Sequence, residues 1–312
     1  MSEADFCGIL LIVVTNINSN FGISVAVPVF NEEGTVSSTL NSLNNLLQKN
    51  NLDHEIIAIN DGSSDKSGEI LKSLSIPNLN IIHHLVNKGY GASLKSAIKE
   101  ARYPWILITD ADGTYPINSI PELLKYAGEY DMVVGSRNGK KVRDTLPRKI
   151  GRGIVRKFAS YVSGAKIQDI NSGLRIFKKE DAEKFWHLFP DGFSFTSTIT
   201  VASHANGNRV KYLPIDYHKR AGKSSIKPAK DFIGFLSLIA KLAIYFRPLK
   251  VFIPAGIFLM ALAIAMVIGG YLWRGEIFDA TFAVLFITGV QVLIFGFMAD
   301  MIVKRFYTGH GK

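Results

Sequence analysis

The sequence predicts an α/β domain with a mostly parallel sheet, followed by an interfacial helix and a two-helix transmembrane hairpin. Three observations predict it. β-Branched apolar runs alternate with helical patterns from residue 23 to about residue 135. Polar punctuation follows each run. Two long uncharged stretches fill the last quarter of the chain.

Residues 23–29 (Ile-Ser-Val-Ala-Val-Pro-Val) read as a first strand, and 33–49 as a helix with Leu40, Leu43 and Leu47 at helical spacing. Residues 55–59 form a second strand that ends in Asn60-Asp61-Gly62-Ser63, with a short helix behind it. The pattern continues with a strand at 79–84, a helix at 89–102, a strand at 105–109, a helix at 119–130 and a strand at 132–135. In parallel sheets of this kind ligands bind outside the carboxyl ends of the strands. The punctuation at 28–33, 60–64, 87–91, 110–113 and 135–137 therefore converges on one edge.

The fourth of these loops is the most informative. The apolar run Trp105-Ile106-Leu107-Ile108-Thr109 ends abruptly in Asp110-Ala111-Asp112-Gly113. Two carboxylates separated by one small residue can share a divalent cation by oxygen ligation, and the cation can hold a diphosphate. Aspartates also cap turns, and the pair alone does not choose between these roles.

With 36 Lys and Arg against 26 Asp and Glu, the net charge is +10. That suits nucleic acid, an anionic membrane surface or phosphorylated substrates. The single cysteine, Cys7, excludes a disulfide framework and argues against a Cys-based zinc site. The adjacent His83 and His84 read as a strand end. Residues 6–14 form a short apolar stretch behind acidic residues, too short to span a membrane, and read as an extra strand or an extension. Arg137, Lys140, Lys141, Arg143, Arg148, Lys149, Arg152, Arg156 and Lys157 cluster with only Asp144 to offset them. They read as a solvated helix face or as an attraction to anionic headgroups. A nucleic-acid partner is not expected, because the basic residues adjoin the membrane segment and lack interleaved aromatics.

Residues 251–273 and 280–299 carry no charge, and each is about the length a helix needs to cross a bilayer. The link between them, Arg274-Gly275-Glu276-Ile277-Phe278-Asp279, has room only for a hairpin tip. Lys241, Arg247 and Lys250 precede the first stretch, and Lys304 and Arg305 follow the second. The positive-inside rule then puts both termini and the large N-terminal domain in the cytoplasm. In 228–245, Phe232, Phe235, Leu236, Ile239 and Leu242 recur at helical spacing among lysines, as in a helix lying at the membrane interface.

An ordered set of motifs carries a resemblance. It runs Val27-Pro28-Val29-Phe30-Asn31-Glu32-Glu33, Asn60-Asp61-Gly62-Ser63-Ser64-Asp65, Asn87-Lys88-Gly89-Tyr90-Gly91-Ala92 and Asp110-Ala111-Asp112-Gly113. Gly135-Ser136-Arg137, Asp169 with Ser172-Gly173-Leu174-Arg175, and Arg220 with Gly222 and Ser224 complete it. The chain resembles the family 2 inverting glycosyltransferases of the polyprenyl-phosphate hexosyltransferase type, which include dolichyl-phosphate mannose synthases and bactoprenol glucosyltransferases. The resemblance implies a GT-A type nucleotide-sugar-binding domain over residues 22–227, behind an N-terminal extension at 1–21. A juxtamembrane amphipathic helix would follow at 228–249, two transmembrane helices at 250–304 and a cytoplasmic tail at 305–312.

The resemblance also implies a site. Pro28, Phe30, Glu32 and Asp61 would line the nucleoside pocket. Carboxylates there can accept from base N–H or ribose hydroxyls, and an aromatic ring offers a stacking face. Glu33 would serve the helix N-terminus behind them. Lys88, Asp110, Ala111 and Asp112 would complete the nucleotide-sugar contacts, with Asp110 and Asp112 holding Mg2+ or Mn2+. Asp112, Asp169, Arg137 and Arg220 would carry catalysis. The two arginines would meet the diphosphate or the acceptor phosphate, with Arg148 and Lys223 as weaker candidates. A structural ion pair between Asp169 and Arg175 is the competing account of Asp169. The expected partners are a nucleotide-sugar donor, a polyprenyl phosphate acceptor and membrane lipids, and hairpins of this kind can pair into a homo-oligomer.

Departures from the family limit what the resemblance fixes. Mannose synthases often follow the acidic pair with Leu-Gln-His-Pro, where this chain has Gly113-Thr114-Tyr115-Pro116, and Asn60 stands where many members have an aspartate. The sugar is therefore left open between the UDP-glucose and GDP-mannose classes. A dehydrogenase would want Gly-x-Gly-x-x-Gly after the first strand, which is absent. A processive polysaccharide synthase would want Gln-x-x-Arg-Trp, also absent. A non-catalytic membrane scaffold would be expected to lose the acidic pair.

Overall fold

The computed structural model of the protein describes residues 21–137, 146–218, 228–274 and 279–308. The apolar stretch at 6–14 lies outside them. Seven strands form one sheet: β1 (Gly22–Val29), β2 (Asp53–Asp61), β3 (Leu79–His84), β4 (Trp105–Ile108), β5 (Met132–Ser136), β6 (Arg175–Lys178) and β7 (Val210–Pro214). Their order is β3-β2-β1-β4-β6-β5-β7. Among the described strands only β6 runs antiparallel to its neighbours. The other pairs are parallel, so all five expected loops emerge on one edge.

Both faces of the sheet are buried, as its near-continuous apolar strands require. Ile23, Val25, Val27 and Val29 of β1 pack with Leu40, Leu43 and Leu47 of α1 (Val36–Lys49), with Leu71 of α2 (Ser67–Ser73) and with Ile120 and Leu123. Ile57, Ile59, Ile106 and Ile108 face the other side. There they meet Leu94, Ala97 and Ile98 of α3 (Tyr90–Glu100).

The expected helix at 119–130 is much shorter. A 3-10 turn (Ile117–Ser119) leads into α4 (Ile120–Leu124), and Gly128, at φ +94°, turns the chain away. The expected start of α1 at residue 33 also moves, because Asn31 sits at φ +56° and the Glu32 carbonyl accepts from the Thr35 and Val36 amides. The basic segment does form a helix, α5 (Leu146–Ser163), followed by β6, α6 (Lys179–Lys184), α7 (Phe195–Ala205) and β7.

Helix α8 (Pro228–Phe246) forms over the segment expected to lie at the membrane interface, but two of its apolar positions face the protein interior. Ile239 and Leu242 are buried, with Ala243 and Phe246, in the core shared with Val155, Ala159 and Val162 of α5 and with Phe195 and Ile199 of α7.

Two long helices follow, α9 (Leu249–Arg274) and α10 (Asp279–Thr308). Leu249–Leu272 and Ala280–Arg305 have mean hydropathies of 2.7 and 2.3 and are long enough to cross a membrane. The pair packs through glycines: a Cβ on Gly256 would lie 2.9 Å from the Gly289 carbonyl, and one on Gly289 2.6 Å from Met260 Cγ. At the base of α9 the Tyr161 hydroxyl donates to the Lys250 carbonyl (3.0 Å), while Lys250 Nζ donates back to the Tyr161 carbonyl. That clasp joins the hairpin to α5.

Candidate active site

The first two loops of the edge are sewn together. The Asn31 amide donates to Ser63 Oγ (3.1 Å), and the Ser64 amide donates to Asn31 Oδ1 (2.8 Å). The Glu32 amide donates to Ser67 Oγ (2.8 Å) and the Glu33 amide to Asp65 Oδ2 (3.1 Å). Glu33 Oε2 in turn accepts from the Lys66 amide (3.0 Å). Glu33 thus serves the N-terminus of α2, not that of α1 as expected. Burial works against ionisation of Asp65, but the hydroxyl and amide of Ser67 overcome it and hold the carboxyl below its usual range. On this frame Pro28 and Glu32 are half-buried and Phe30 is 39% exposed, leaving its ring accessible for stacking.

Asp61, expected to face a nucleoside, is largely engaged from within. Its Oδ1 pairs with His84 Nδ1 (2.6 Å) and accepts from the Lys88 amide (2.9 Å), and its Oδ2 accepts from the Gly89 amide (2.8 Å). His84 Nε2 meets Ser96 Oγ at 2.9 Å. The Lys88 side chain is exposed on the loop that Asp61 pins. Gly89 and Gly91 make room for this chain's own backbone: a Cβ on Gly91 would lie 2.1 Å from the Pro190 carbonyl. The Gly91 and Ala92 amides at the start of α3 donate to the Gly192 and Asp191 carbonyls (3.2 and 2.9 Å).

The acidic pair stands at the end of β4 with buried Ala111 between its two carboxylates. The Tyr90 hydroxyl donates to Asp110 Oδ1 (2.9 Å). Burial of the phenol, reinforced by the Asp110 charge, pushes Tyr90 well above its ordinary value and keeps it a donor. Gly173 closes against the same carboxylate, since a Cβ there would lie 2.9 Å from Asp110 Oδ2. Asp112 Oδ1 accepts from the amide (3.0 Å) and hydroxyl (2.7 Å) of Thr114. Thr114 is buried, and these two bonds hold the Asp112 carboxylate in place.

Arg137 and Asp169 form the second charged element. Arg137 Nε and Nη2 donate to Asp169 Oδ2 (2.8 Å) and Oδ1 (2.9 Å), and the Arg137 amide adds a third bond (3.0 Å). Burial opposes ionisation of Asp169, yet the Arg137 charge and these bonds hold its carboxyl down at about 2. The guanidinium also lies over the Tyr217 ring, 5.4 Å from its centroid. The proposed pair of Asp169 with Arg175 is replaced by this one. Arg175 is fully buried, and its guanidinium donates to the Ser172 and Thr196 carbonyls (3.0 and 2.9 Å) and to Thr200 Oγ1 (2.8 Å). Arg220 and Lys223 lie outside the described residues, as does the side chain of Arg148.

The residues present fit a divalent cation. Among the described residues no three His, Cys, Asp or Glu side chains cluster to form a cage. Two carboxylates at a strand end, the rest of the shell coming from phosphate and water, is how Mg2+ is usually bound. Sequence reading missed the supports: Tyr90, Thr114, Gly173, His84 and Tyr115, whose hydroxyl accepts from the Gly173 amide at 2.6 Å. Their partners are distant in sequence, and nothing local announces them.

A mostly parallel sheet with an acidic pair, a sewn loop pair and an anchored arginine along one edge defines a glycosyltransferase of the GT-A type. Residues 24–186 match the family described as glycosyl transferase family 2, and residues 247–304 match the GtrB C-terminal hairpin. The chain belongs to glycosyl transferase family 2. It is 27% identical over 292 residues to the low-salt glycan biosynthesis hexosyltransferase Agl6 of Haloferax volcanii, covering 88% of this chain and 67% of that one. It is 26% identical over 212 residues to a dolichyl-phosphate hexose transferase of the same organism (66% and 87%). An undecaprenyl-phosphate 4-deoxy-4-formamido-L-arabinose transferase of Photorhabdus laumondii is 26% identical over 294 residues (90% and 88%). Among solved structures, glucosyl-3-phosphoglycerate synthase of Mycobacterium tuberculosis, crystallised with Mn2+, UDP-glucose and phosphoglyceric acid, superposes with a TM-score of 0.59 at 14% identity, covering 76% and 83%.

Proposed function

We propose that the protein transfers a hexose from a nucleotide-sugar to a polyprenyl phosphate, with inversion at the anomeric carbon, at the cytoplasmic face of a membrane. The observation that carries this reading is the supported Asp110–Asp112 pair, set beside the sewn loops in a chain that ends in an apolar hairpin. Relatives named for transfer to dolichyl and undecaprenyl phosphates support the acceptor class.

Asp110 and Asp112 hold Mg2+ or Mn2+ in this reading. Such an ion would offset the negative charge that develops on the departing nucleoside diphosphate. Phe30, Glu32 and Asp61 receive the nucleoside. An oxygen of the lipid phosphate bonds to the anomeric carbon as that carbon's bond to the diphosphate breaks, and the electron pair leaves with the nucleoside diphosphate. With a second pKa of ~6, a phosphate monoester is already largely a dianion, so no general base is needed. Arg137, fixed by Asp169, and Arg220 meet the phosphate charges and position the acceptor.

Purified protein in detergent, given polyprenyl phosphate, Mn2+ and radiolabelled UDP-glucose, GDP-mannose or UDP-GlcNAc, transfers label into the organic extract with one donor. No label in the lipid with any donor overturns the reading. Label that survives Asp112→Ala refutes the metal assignment.

A further inference from the structure

The internal bonding of Asp61 has a consequence for donor choice. An ionised carboxylate offers about four acceptor positions over its two oxygens. Here Oδ1 is filled twice, by His84 Nδ1 at 2.6 Å and the Lys88 amide at 2.9 Å, and Oδ2 once, by the Gly89 amide at 2.8 Å. Because the carboxylate can only accept, the proton lies on His84 Nδ1, and the Ser96 hydroxyl 2.9 Å from Nε2 holds the ring from behind. Both side chains of the Asp61–His84 pair are 5% exposed, so the arrangement is fixed by its surroundings and does not rotate to suit a ligand.

We propose that His84 is a positioning residue that makes Asp61 a single-point reader and thereby selects a uridine over a guanosine donor. This rests on the donor-pocket reading above and narrows it. Guanine presents two adjacent donors, its ring N–H and its exocyclic amine, and a carboxylate reads them best with both oxygens at once. With Oδ1 occupied by His84 and the Lys88 amide, that two-point contact is closed. Uracil presents one imide N–H between two carbonyls and asks only for the remaining position on Oδ2. His84 thus sets base selection without touching the base.

The test is calorimetric titration of the full chain in detergent micelles with UDP, GDP and inorganic pyrophosphate, each with Mn2+. The wild type is expected to bind UDP about tenfold or more tightly than GDP, the scale of one hydrogen bond to a charged group. His84→Phe frees one of the two filled positions on Oδ1, the Lys88 amide keeping the other, and the preference should shrink to within about threefold while pyrophosphate affinity stays unchanged, since the acidic pair is not altered. His84→Asn, which can still donate to Oδ1, should restore the preference. Ser96→Ala leaves the imidazole in place but unheld, and should give an intermediate ratio even if His84→Phe does not fold. GDP bound by the wild type as tightly as UDP overturns the proposal, as does a UDP preference that survives in the variants. Binding of pyrophosphate but of neither nucleotide overturns the donor-pocket reading and this proposal with it.

Discussion

Gly173→Ala tests how the acidic pair is supported. Gly173 lies outside the left-handed region of backbone space, so alanine suits its conformation. The added Cβ would lie 2.9 Å from Asp110 Oδ2 and 3.0 Å from Oδ1, too close for either to stay. The tip of the Asp110 side chain must shift by a few tenths of an ångström, and the 2.9 Å bond from Tyr90 lengthens with it. A hydrogen bond to a charged group contributes about 1.5–3 kcal/mol, so partial loss should weaken Mn2+ binding about tenfold. Global stability should fall by only about 1 kcal/mol, the lower end for overpacking, because one short side chain yields. Mn2+ affinity from electron paramagnetic resonance and unfolding in detergent would be measured together. Tyr90→Phe removes the same bond without adding bulk, so the double variant should lose less than the sum of the two. Unchanged Mn2+ affinity in Gly173→Ala, or strict additivity with Tyr90→Phe, refutes the reasoning.

Three further outcomes are expected. Asp169, held at about 2 against an ordinary 3.8, should contribute about 2 kcal/mol of stability, in full above about pH 4 and lost as the pH falls from there towards 2; denaturant unfolding of wild type and Asp169→Asn across that window checks it. Arg137→Ala strands the Asp169 carboxylate in a largely buried position and should cost about 3 kcal/mol or more, measured by the same unfolding. Gly289→Leu drives a side chain into Met260 and the Gly256 backbone, and should lower the melting temperature of the hairpin in detergent by parting α9 from α10.

The first five strands were legible because each is a β-branched run closed by polar punctuation, and pattern and burial agree there. β6 was not: Arg-Ile-Phe-Lys is short and opens on an arginine that the fold buries completely. β7, Val-Lys-Tyr-Leu-Pro, ends on a residue that usually marks an edge, and an edge strand is what it is. The loops of the site were legible by position, whereas the bonding inside them was not. Asp61 reads from the sequence as a ligand contact, and nothing near it there shows that His84 will also arrive beside it. The competing account of Asp169 pairs it with Arg175, six residues away, whereas the turn after strand β5 brings Arg137 to it. Sequence proximity suggested the pair, and sheet order decided it.

The bonds that sew Asn31, Glu32 and Glu33 to Ser63, Ser64, Asp65, Lys66 and Ser67 place the ordering of this loop pair in the folding step. A ligand that enters it meets a surface already arranged, and little conformational entropy remains to be lost on association. Titrated calorimetrically, nucleoside diphosphate binding should then show a small heat-capacity change, without the large entropic opposition of coupled folding. Association should be fast and little affected by added viscogen beyond the diffusional limit. Substitutions that cut the seam, Ser63→Ala or Ser67→Ala, should act on the entropy of binding before they act on its enthalpy.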